Sequence, residues 1–275
     1  MLNIWNLVLY QPILNALIFL YGVLFQNLGL AIIALTIIMR LALSPLMNPQ
    51  LKSASKMKEL APELEKLKKK HKDDKQKFMQ AQLALYKEHG VNPAAGCLPQ
   101  ILQIIILITL YQVLNKVIIG SGSIENIAKD LWPFNQLADG TTGLNLNFLY
   151  LNLGKPDIIR IPGLPFGIPG LPGLFVIMAT VFQFLSSKMM LPTVKKEEKL
   201  AEKTPGKTDD MAASMQKQMM YMFPAMTLIF GYTLQSGVML YWFIFSAFSL
   251  LQQKLVNKNK DKSNLLKITD GSDKN

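Results

Sequence analysis

The chain has 275 residues, of which 50% are hydrophobic and 17% are charged, with a mean hydropathy of +0.24 and a net charge of +11. This composition is too apolar for an ordinary soluble domain of its size and indicates several membrane spans. A single cysteine excludes an internal disulfide framework, and two histidines in a lysine-rich segment make a histidine-built metal site improbable.

Sequence motifs give little support to catalysis. The chain has no P-loop, no glycine-rich phosphate cradle and no recognisable Ser-His-Asp constellation. We therefore expect neither a metal nor another cofactor, and we do not expect an enzyme.

Residues 1–25 carry no charged side chain, but asparagine and glutamine residues and one proline interrupt the apolar stretch. Trp5, Tyr10 and Tyr21 suit the headgroup zone of a bilayer. The pattern predicts an outer interfacial amphipathic helix. A first transmembrane helix is the alternative.

Residues 26–47 form the first predicted span, TM1. Leu28 to Met47 matches the roughly 20 apolar residues that cross a bilayer, and Arg40 is its only charge. Seven uncharged residues follow Arg40, which places it about 10 Å below the helix end. Thr36 lies one turn away on the same face. The alternative is that Arg40 snorkels to the surface and only anchors the helix. We expect Pro45 and Pro49 to end this helix.

Residues 48–92 contain 11 lysines against six acidic residues. Apolar residues recur every three or four positions, which predicts two amphipathic helices of an antiparallel cytoplasmic hairpin with its tip at residues 72–75. Pro62 should kink or break the first helix. The apolar positions of the two helices are Met57, Leu60, Leu64 and Leu67, and then Met79, Leu83 and Tyr86.

Further apolar and polar stretches alternate along the rest of the chain. We expect TM2 at 93–119, an extracellular loop at 120–168, TM3 at 169–190, a cytoplasmic connector at 191–217, a TM4–TM5 hairpin at 218–253 and a basic cytoplasmic tail at 254–275. Residues 114–168 hold four basic and four acidic residues, so the net positive charge falls on the other side of a five-span arrangement. By the positive-inside rule that side is the cytoplasm, and the N-terminus lies outside.

The predicted spans contain no aspartate or glutamate that could pair with Arg40. An uncompensated buried charge is costly, so we expect water to solvate Arg40 in a cavity open to the cytoplasm. Polar side chains in the spans could line that cavity, or could only join helices by hydrogen bonds. The candidate lining residues are Thr36, Gln103, Gln183, Trp242 and Ser246. Methionines around the last hairpin suit a sliding surface for apolar segments, although they equally suit simple core packing.

Several motifs resemble those of the YidC-type membrane protein insertases and of their mitochondrial and chloroplast relatives. They are LYQPILNALIFLY near the start, LYKEHGVNPAAGCLPQ with the ILQ that follows, NFLYLNLGKPD, and the terminal LYW and QQ. The resemblance implies an all-α polytopic membrane protein, with five transmembrane helices around a hydrophilic groove, a cytoplasmic helical hairpin and an outer interfacial helix. The family's groove arginine falls on Arg40, its polar third-helix position on Gln183 and its final-helix aromatic on Trp242. Two positions depart from the family's common pattern, Ile105 in place of proline and Ser246 in place of asparagine.

The resemblance implies an insertase and chaperone of the bacterial plasma membrane, acting alone or with the Sec translocon. Its partners would be nascent membrane proteins, the ribosome, membrane lipids and the signal recognition particle pathway, and not DNA. The alternative from another class is a small-anion transporter or channel that uses Arg40. We find no internal repeat of the kind that transporters commonly show.

Overall fold

The structure, a computed structural model, describes residues 2–71, 74–91, 98–119, 125–135, 143–162, 170–190 and 210–272. The chain forms two compact units. The first comprises Met1–Leu43, Gln100–Phe182 and Ala225–Phe248, and the second comprises Ser44–Pro99, Gln183–Pro224 and Ser249–Asn275.

The described residues are mainly helical. A π-helical turn at Asn6–Tyr10 joins the first two helices, and a short 3-10 helix lies at Pro133–Asn135. In chain order, the helices are α1 Leu2–Trp5, α2 Gln11–Val23, α3 Leu28–Glu59, α4 Ala61–Lys70, α5 Lys75–Glu88, α6 Leu98–Ile119, α7 Glu125–Ala128, α8 Leu174–Met190, α9 Asp210–Thr233 and α10 Ser236–Ser272. The strands are β1 Asn147–Phe148, β2 Leu151–Asn152, β3 Ile158–Ile159 and β4 Leu171–Pro172.

Three windows within the described residues are long and apolar enough to cross a membrane: Asn6–Val23, Leu28–Pro45 and Ile101–Ile118. A shorter apolar helix lies at Leu174–Met189. The expectation of a mainly helical membrane protein is thus confirmed. The first window falls in the stretch that we expected to lie on the membrane, and its length and composition also allow the spanning alternative.

Helix α3 does not end at Pro45 and Pro49, as we had expected, but continues through both to Glu59. Each proline removes one backbone N–H from the helical ladder, while its fixed φ is compatible with helix. These two prolines are therefore not sufficient to end α3.

The lysine-rich segment forms helices α4 and α5, as expected, in the second unit. Pro62 stands in the first turn of α4 and therefore marks a break rather than a kink. The predicted apolar face of α5 is only partly packed, because Met79 and Leu83 are 55% and 50% exposed, whereas Tyr86 is half-buried as expected. Phe78 and Leu85 are covered more than Met79 and Leu83, so the packed face lies one residue earlier in the helical register.

Asp74 caps the N-terminus of α5. Its Oδ1 accepts a hydrogen bond from the backbone N–H of Lys77 at 3.0 Å, and its Oδ2 lies 3.1 Å from Lys77 Nζ. The backbone hydrogen bond from Lys77, followed by the side-chain bond, lowers the pKa of the Asp74 carboxyl. The carboxylate therefore stays ionised at neutral pH, where it suits a helix N-terminus.

The core of the first unit gathers α2, α3, α6 and α10 with the loop around residues 143–162. Leu14, Leu28, Leu114 and Leu240 are fully buried there, as is Leu153 of the loop. The strands pair antiparallel, β1 with β2 and β3 with β4. The loop is therefore part of the core rather than a free surface segment.

Backbone carbonyls of this loop cap the first turn of α10. Ser236 N–H donates to Lys155 O at 2.8 Å, and Gly237 N–H donates to Leu153 O at 3.1 Å. The Ser236 hydroxyl donates to Asn152 O at 2.8 Å. A side chain at Gly237 would come within 3.3 Å of Leu153 O, so glycine permits the close approach.

Asp157 caps α8 in a similar way, but with its side chain. The carboxylate is 3% exposed and accepts a hydrogen bond from Phe175 N–H at 3.0 Å. The Tyr150 hydroxyl donates to the same carboxylate at 3.1 Å and accepts from Leu174 N–H at 3.1 Å. Burial, and then the Asp157 charge, raises the pKa of the Tyr150 hydroxyl, which therefore stays a donor at neutral pH.

Asn15 fixes α2 to residues 130–135. Its side chain is 1% exposed, donates to Asp130 O at 3.0 Å and accepts from Trp132 N–H at 2.7 Å. Asn135 Nδ2 donates to the backbone carbonyl oxygen of Asn15 at 2.7 Å. This asparagine, which seemed to interrupt an apolar stretch, is thus a specific joint between two parts of the first unit.

We predict that Asp157→Ala lowers the unfolding free energy by about 1–3 kcal/mol, because it leaves buried N–H groups of α8 without their acceptor. Asp157→Asn keeps one acceptor oxygen and should cost less. Thermal unfolding of the detergent-solubilised protein measures both effects. Glu88→Ala, which removes an exposed carboxylate, is the control. Equal midpoints for Asp157→Ala and Glu88→Ala would contradict the capping role.

We predict that Asp74→Ala speeds hydrogen exchange of the first-turn amides of α5, the Lys77 N–H above all, whereas Asp74→Asn preserves the cap. Because its pKa is lowered in the folded state, the carboxylate stabilises the cap at neutral pH and loses this effect as the pH falls through the folded-state pKa, below 3.8. Mass spectrometry of exchange in the whole protein measures the protection. Similar exchange in the wild type and in Asp74→Ala would exclude the cap.

Candidate functional site

The candidate site is built around Arg40 on α3. Its side chain is 7% exposed, and its Cζ lies 3.8 Å from the centroid of the Phe245 ring on α10. The Phe248 ring centroid is 5.5 Å away. Arg40 Nη2 donates a hydrogen bond to the backbone carbonyl of Phe245 at 3.3 Å. The guanidinium is thus buried against one face of α10 instead of extending to the surface.

Stacking on aromatic rings offsets much of the cost of burying this charge. An arginine at a helix centre costs about 2.5–3.5 kcal/mol on insertion scales. A desolvated cation–π contact contributes about 2 kcal/mol, and a hydrogen bond to a charged group contributes about 1.5–3 kcal/mol. From the sequence we considered only a carboxylate or water as partners for Arg40. The spacing of Phe245 and Phe248, three residues apart on one helical face, was the signal available for the ring contacts.

Thr36 lies on the same face of α3 as Arg40 and is 1% exposed. Its hydroxyl donates to Ile32 O of its own helix at 2.6 Å. The Thr36 hydroxyl proton therefore serves α3 itself, and only the oxygen lone pairs are left for another partner. Ser246 of α10 is likewise buried, at 1% exposed.

The half-buried Gln103 of α6 and the buried Tyr241 of α10 form a polar pair. Gln103 Nε2 donates to the Tyr241 hydroxyl at 2.8 Å, and Tyr241 is 3% exposed. Gln103 and Trp242 were candidates from the sequence, but Tyr241, which precedes Trp242 in the LYW motif, was not. Its hydroxyl was the available signal, because a buried tyrosine usually needs a hydrogen-bond partner.

Trp242 is half-buried, and its indole Nε1 is buried with no hydrogen-bond partner among the described residues. In the second unit, three further polar atoms are buried in the same condition: Ser53 Oγ, Ser186 Oγ and Gln253 Oε1. Such groups are costly unless water or a ligand satisfies them. They therefore have unused capacity for hydrogen bonding.

Gln183 belongs to the second unit, whereas the other five candidate residues belong to the first. It is half-buried on α8. The first unit thus contains five of the six candidate residues: Arg40, Thr36, Gln103, Trp242 and Ser246. In the parts of the chain that the structure describes, no cluster of three or more His, Cys, Asp or Glu side chains could hold a metal ion.

Comparison with known proteins covers almost the whole chain. Residues 19–263 match the model of the family described as 60Kd inner membrane protein. A Fusobacterium nucleatum protein named membrane protein insertase YidC is 33% identical over 232 residues, which are 84% of this chain and 87% of that protein. Proteins of the same name from Rickettsia conorii and Rickettsia rickettsii are 30% identical over 255 residues, which are 92% of this chain.

The match covers only 39% of the length of each Rickettsia relative, whereas it covers most of the Fusobacterium protein. The matched residues contain the whole of α3, α6 and α8, together with Phe245 and Phe248 of α10, which contact Arg40. The chain therefore belongs to the 60Kd inner membrane protein family, the family of the YidC-type insertases.

Proposed function

We propose that this protein inserts nascent integral membrane proteins into the bacterial plasma membrane and helps them fold, alone or with the Sec translocon. The observation that carries the proposal is the charge of Arg40, buried between α3 and α10 in a chain whose relatives are named insertases. No chemical step is needed for this function. The protein acts by providing an environment between water and lipid.

The physical basis is the cost of moving polar groups through lipid. A charged residue at the bilayer centre costs several kcal/mol, whereas the apolar segment of a client gains by entering the hydrocarbon. A hydrophilic groove that reaches part of the way into the membrane shortens the dehydrated path. A positive charge at its inner end attracts acidic or polar segments of the client, because electrostatic interactions are strong where the dielectric constant is low.

Other polar atoms of the first unit would complete the groove. Trp242 Nε1 can donate to a client carbonyl or to water, and the paired side chains of Gln103 and Tyr241 add further polar character. Ser246 and Thr36 would line the same region. Gln183, the match to the family's polar third-helix position, stays a proposed lining residue.

In the proposed arrangement, α3, α6, α8, α9 and α10 are the five spans. The charge distribution supports an orientation with residues 114–168 outside the cell, since the excess of lysine and arginine lies in the rest of the chain. Helices α4 and α5 and the C-terminal tail would then be cytoplasmic. There their lysines would bind ribosomal RNA, components of the signal recognition particle pathway or anionic lipids.

The contacts of Trp5 favour an interfacial position for residues 1–25. Trp5 Nε1 donates to Gln112 Oε1 at 3.0 Å. Gln112 stands seven residues before the end of α6, which corresponds to about 10 Å along the helix. A helix that crossed the whole bilayer would bring its first residues near the other end of α6. The contact therefore supports a segment that lies at the outer side of the membrane.

We predict that Arg40→Ala abolishes insertion of a single-span client into vesicles containing the purified protein, while Arg40→Lys largely retains it, because the lysine keeps the positive charge. Protease protection of the client measures insertion. Arg160→Ala, which removes the other arginine of the chain from an exposed site, is the matched control.

Full insertion by Arg40→Ala would exclude the groove mechanism. Uptake of a small anion into vesicles that contain only this protein, and its loss in Arg40→Ala, would instead favour a transporter.

We predict that a membrane-impermeant maleimide labels Cys97, the single cysteine, in inverted membrane vesicles and leaves it unlabelled in intact cells. The reason is that Cys97 precedes α6 on the proposed cytoplasmic side. A Cys97→Ser protein carrying Lys155→Cys should show the reverse pattern. Labelling of Cys97 from outside the cell would overturn the orientation.

A further inference from the structure

The ring and the backbone carbonyl of Phe245 both contact the Arg40 guanidinium. The Phe245 ring lies under its Cζ at 3.8 Å, and the Phe245 carbonyl accepts a hydrogen bond from its Nη2 at 3.3 Å. The Phe248 ring follows at 5.5 Å. The arginine and Phe245 are 205 residues apart in the chain, so this contact joins α3 to α10.

We propose that Phe245 is a positioning residue that holds the Arg40 guanidinium shielded against α10 while no client is bound. This inference rests on the proposed function, because it specifies what holds the charged group in place at the inner end of the groove until a client binds. An acidic or polar segment of a client competes with the ring and the carbonyl for the guanidinium. A ring face is well suited to this exchange, because it attracts the cation without forming the charge pair that a carboxylate would form.

The composition of the spans explains why an aromatic residue is suitable at this position. The predicted spans contain no carboxylate, and a carboxylate at position 245 would neutralise the charge that the client is meant to meet. A leucine would fill the space without attracting the cation. Phenylalanine both lowers the cost of burying Arg40 and preserves the positive charge of the site.

The chain offers a direct measure of guanidinium exposure, because it has only two arginines, Arg40 and the exposed Arg160. Phenylglyoxal modifies arginine side chains, and mass spectrometry can follow the two sites separately in the detergent-solubilised protein. Arg160 serves as an internal reference for reagent and protein concentration. The ratio of the two modification rates reports how far Arg40 is shielded.

We predict that Phe245→Leu raises the modification rate of Arg40 relative to Arg160 by roughly threefold or more, because the cation loses its ring contact. Phe245→Tyr keeps the ring and should stay within about twofold of the wild type. Phe248→Leu should have a smaller effect, because its ring lies farther from the guanidinium.

In vesicles, Phe245→Leu should lower insertion of a client with an acidic tail by roughly threefold or more, because the guanidinium is no longer held in position for the client. Phe245→Tyr keeps the ring and should restore insertion.

Phe243→Leu is the matched control on the same helix. Phe243 packs against Phe175 and Phe182 of α8, with ring centroids 5.5 and 5.6 Å away, and is not among the rings stacked on Arg40. It should lower stability without raising the reactivity of Arg40. An equal rise in Phe243→Leu and Phe245→Leu would reduce the effect to general loosening and overturn the proposal, as would an unchanged rate in Phe245→Leu.

The two proposals can fail separately. If Arg40→Ala inserts clients normally while Phe245→Leu still exposes Arg40, the shielding stands and the groove mechanism fails. If Phe245→Leu exposes Arg40 and insertion is unchanged, Phe245 has no role in positioning for clients, whereas the groove proposal is unaffected.

Discussion

The burial of one positive charge among apolar helices is the constraint on which the rest of the structure depends. Arg40 would be expensive in lipid, and α10 compensates it with an aromatic face and a backbone carbonyl. This requirement fixes which side of α10 faces α3. Ser246 and Tyr241, both buried, are on the same helix and are placed with it. The polar character of the site is therefore a consequence of how one guanidinium is accommodated.

The loop that follows α6 gives these helices fixed starting points. Carbonyls of Leu153 and Lys155 cap α10, and the Asp157 carboxylate caps α8. Helix N-termini have unsatisfied N–H groups. The loop satisfies them with backbone carbonyls at α10 and with a side-chain carboxylate at α8. The motif NFLYLNLGKPD thus has a physical explanation in the helix caps that it provides.

Much of the fold could be predicted from the sequence, because long apolar runs and lysine-rich amphipathic runs each permit few structures in water and lipid. The break at Pro62, the helices of the hairpin and the helix around Arg40 follow from such patterns. The extension of α3 past Pro45 could not be predicted, since proline is compatible with helix when other contacts maintain it. The spacing of Phe245 and Phe248 indicates a shared helical face but not its partner, because Arg40 lies more than 200 residues earlier in the chain. The role of Asn15 likewise depends on a partner 115 residues away.

The separation of Arg40 from Phe245 also bears on how the protein itself is made. At about 5–20 residues per second, ribosomes need roughly 10–40 s to synthesise the 205 residues between the two partners. Throughout that interval α3 exists without α10, so the ring and the carbonyl of Phe245 are not available to compensate the Arg40 charge. The contacts of Arg40 with Phe245 can therefore form only late in synthesis, once this part of α10 has been made.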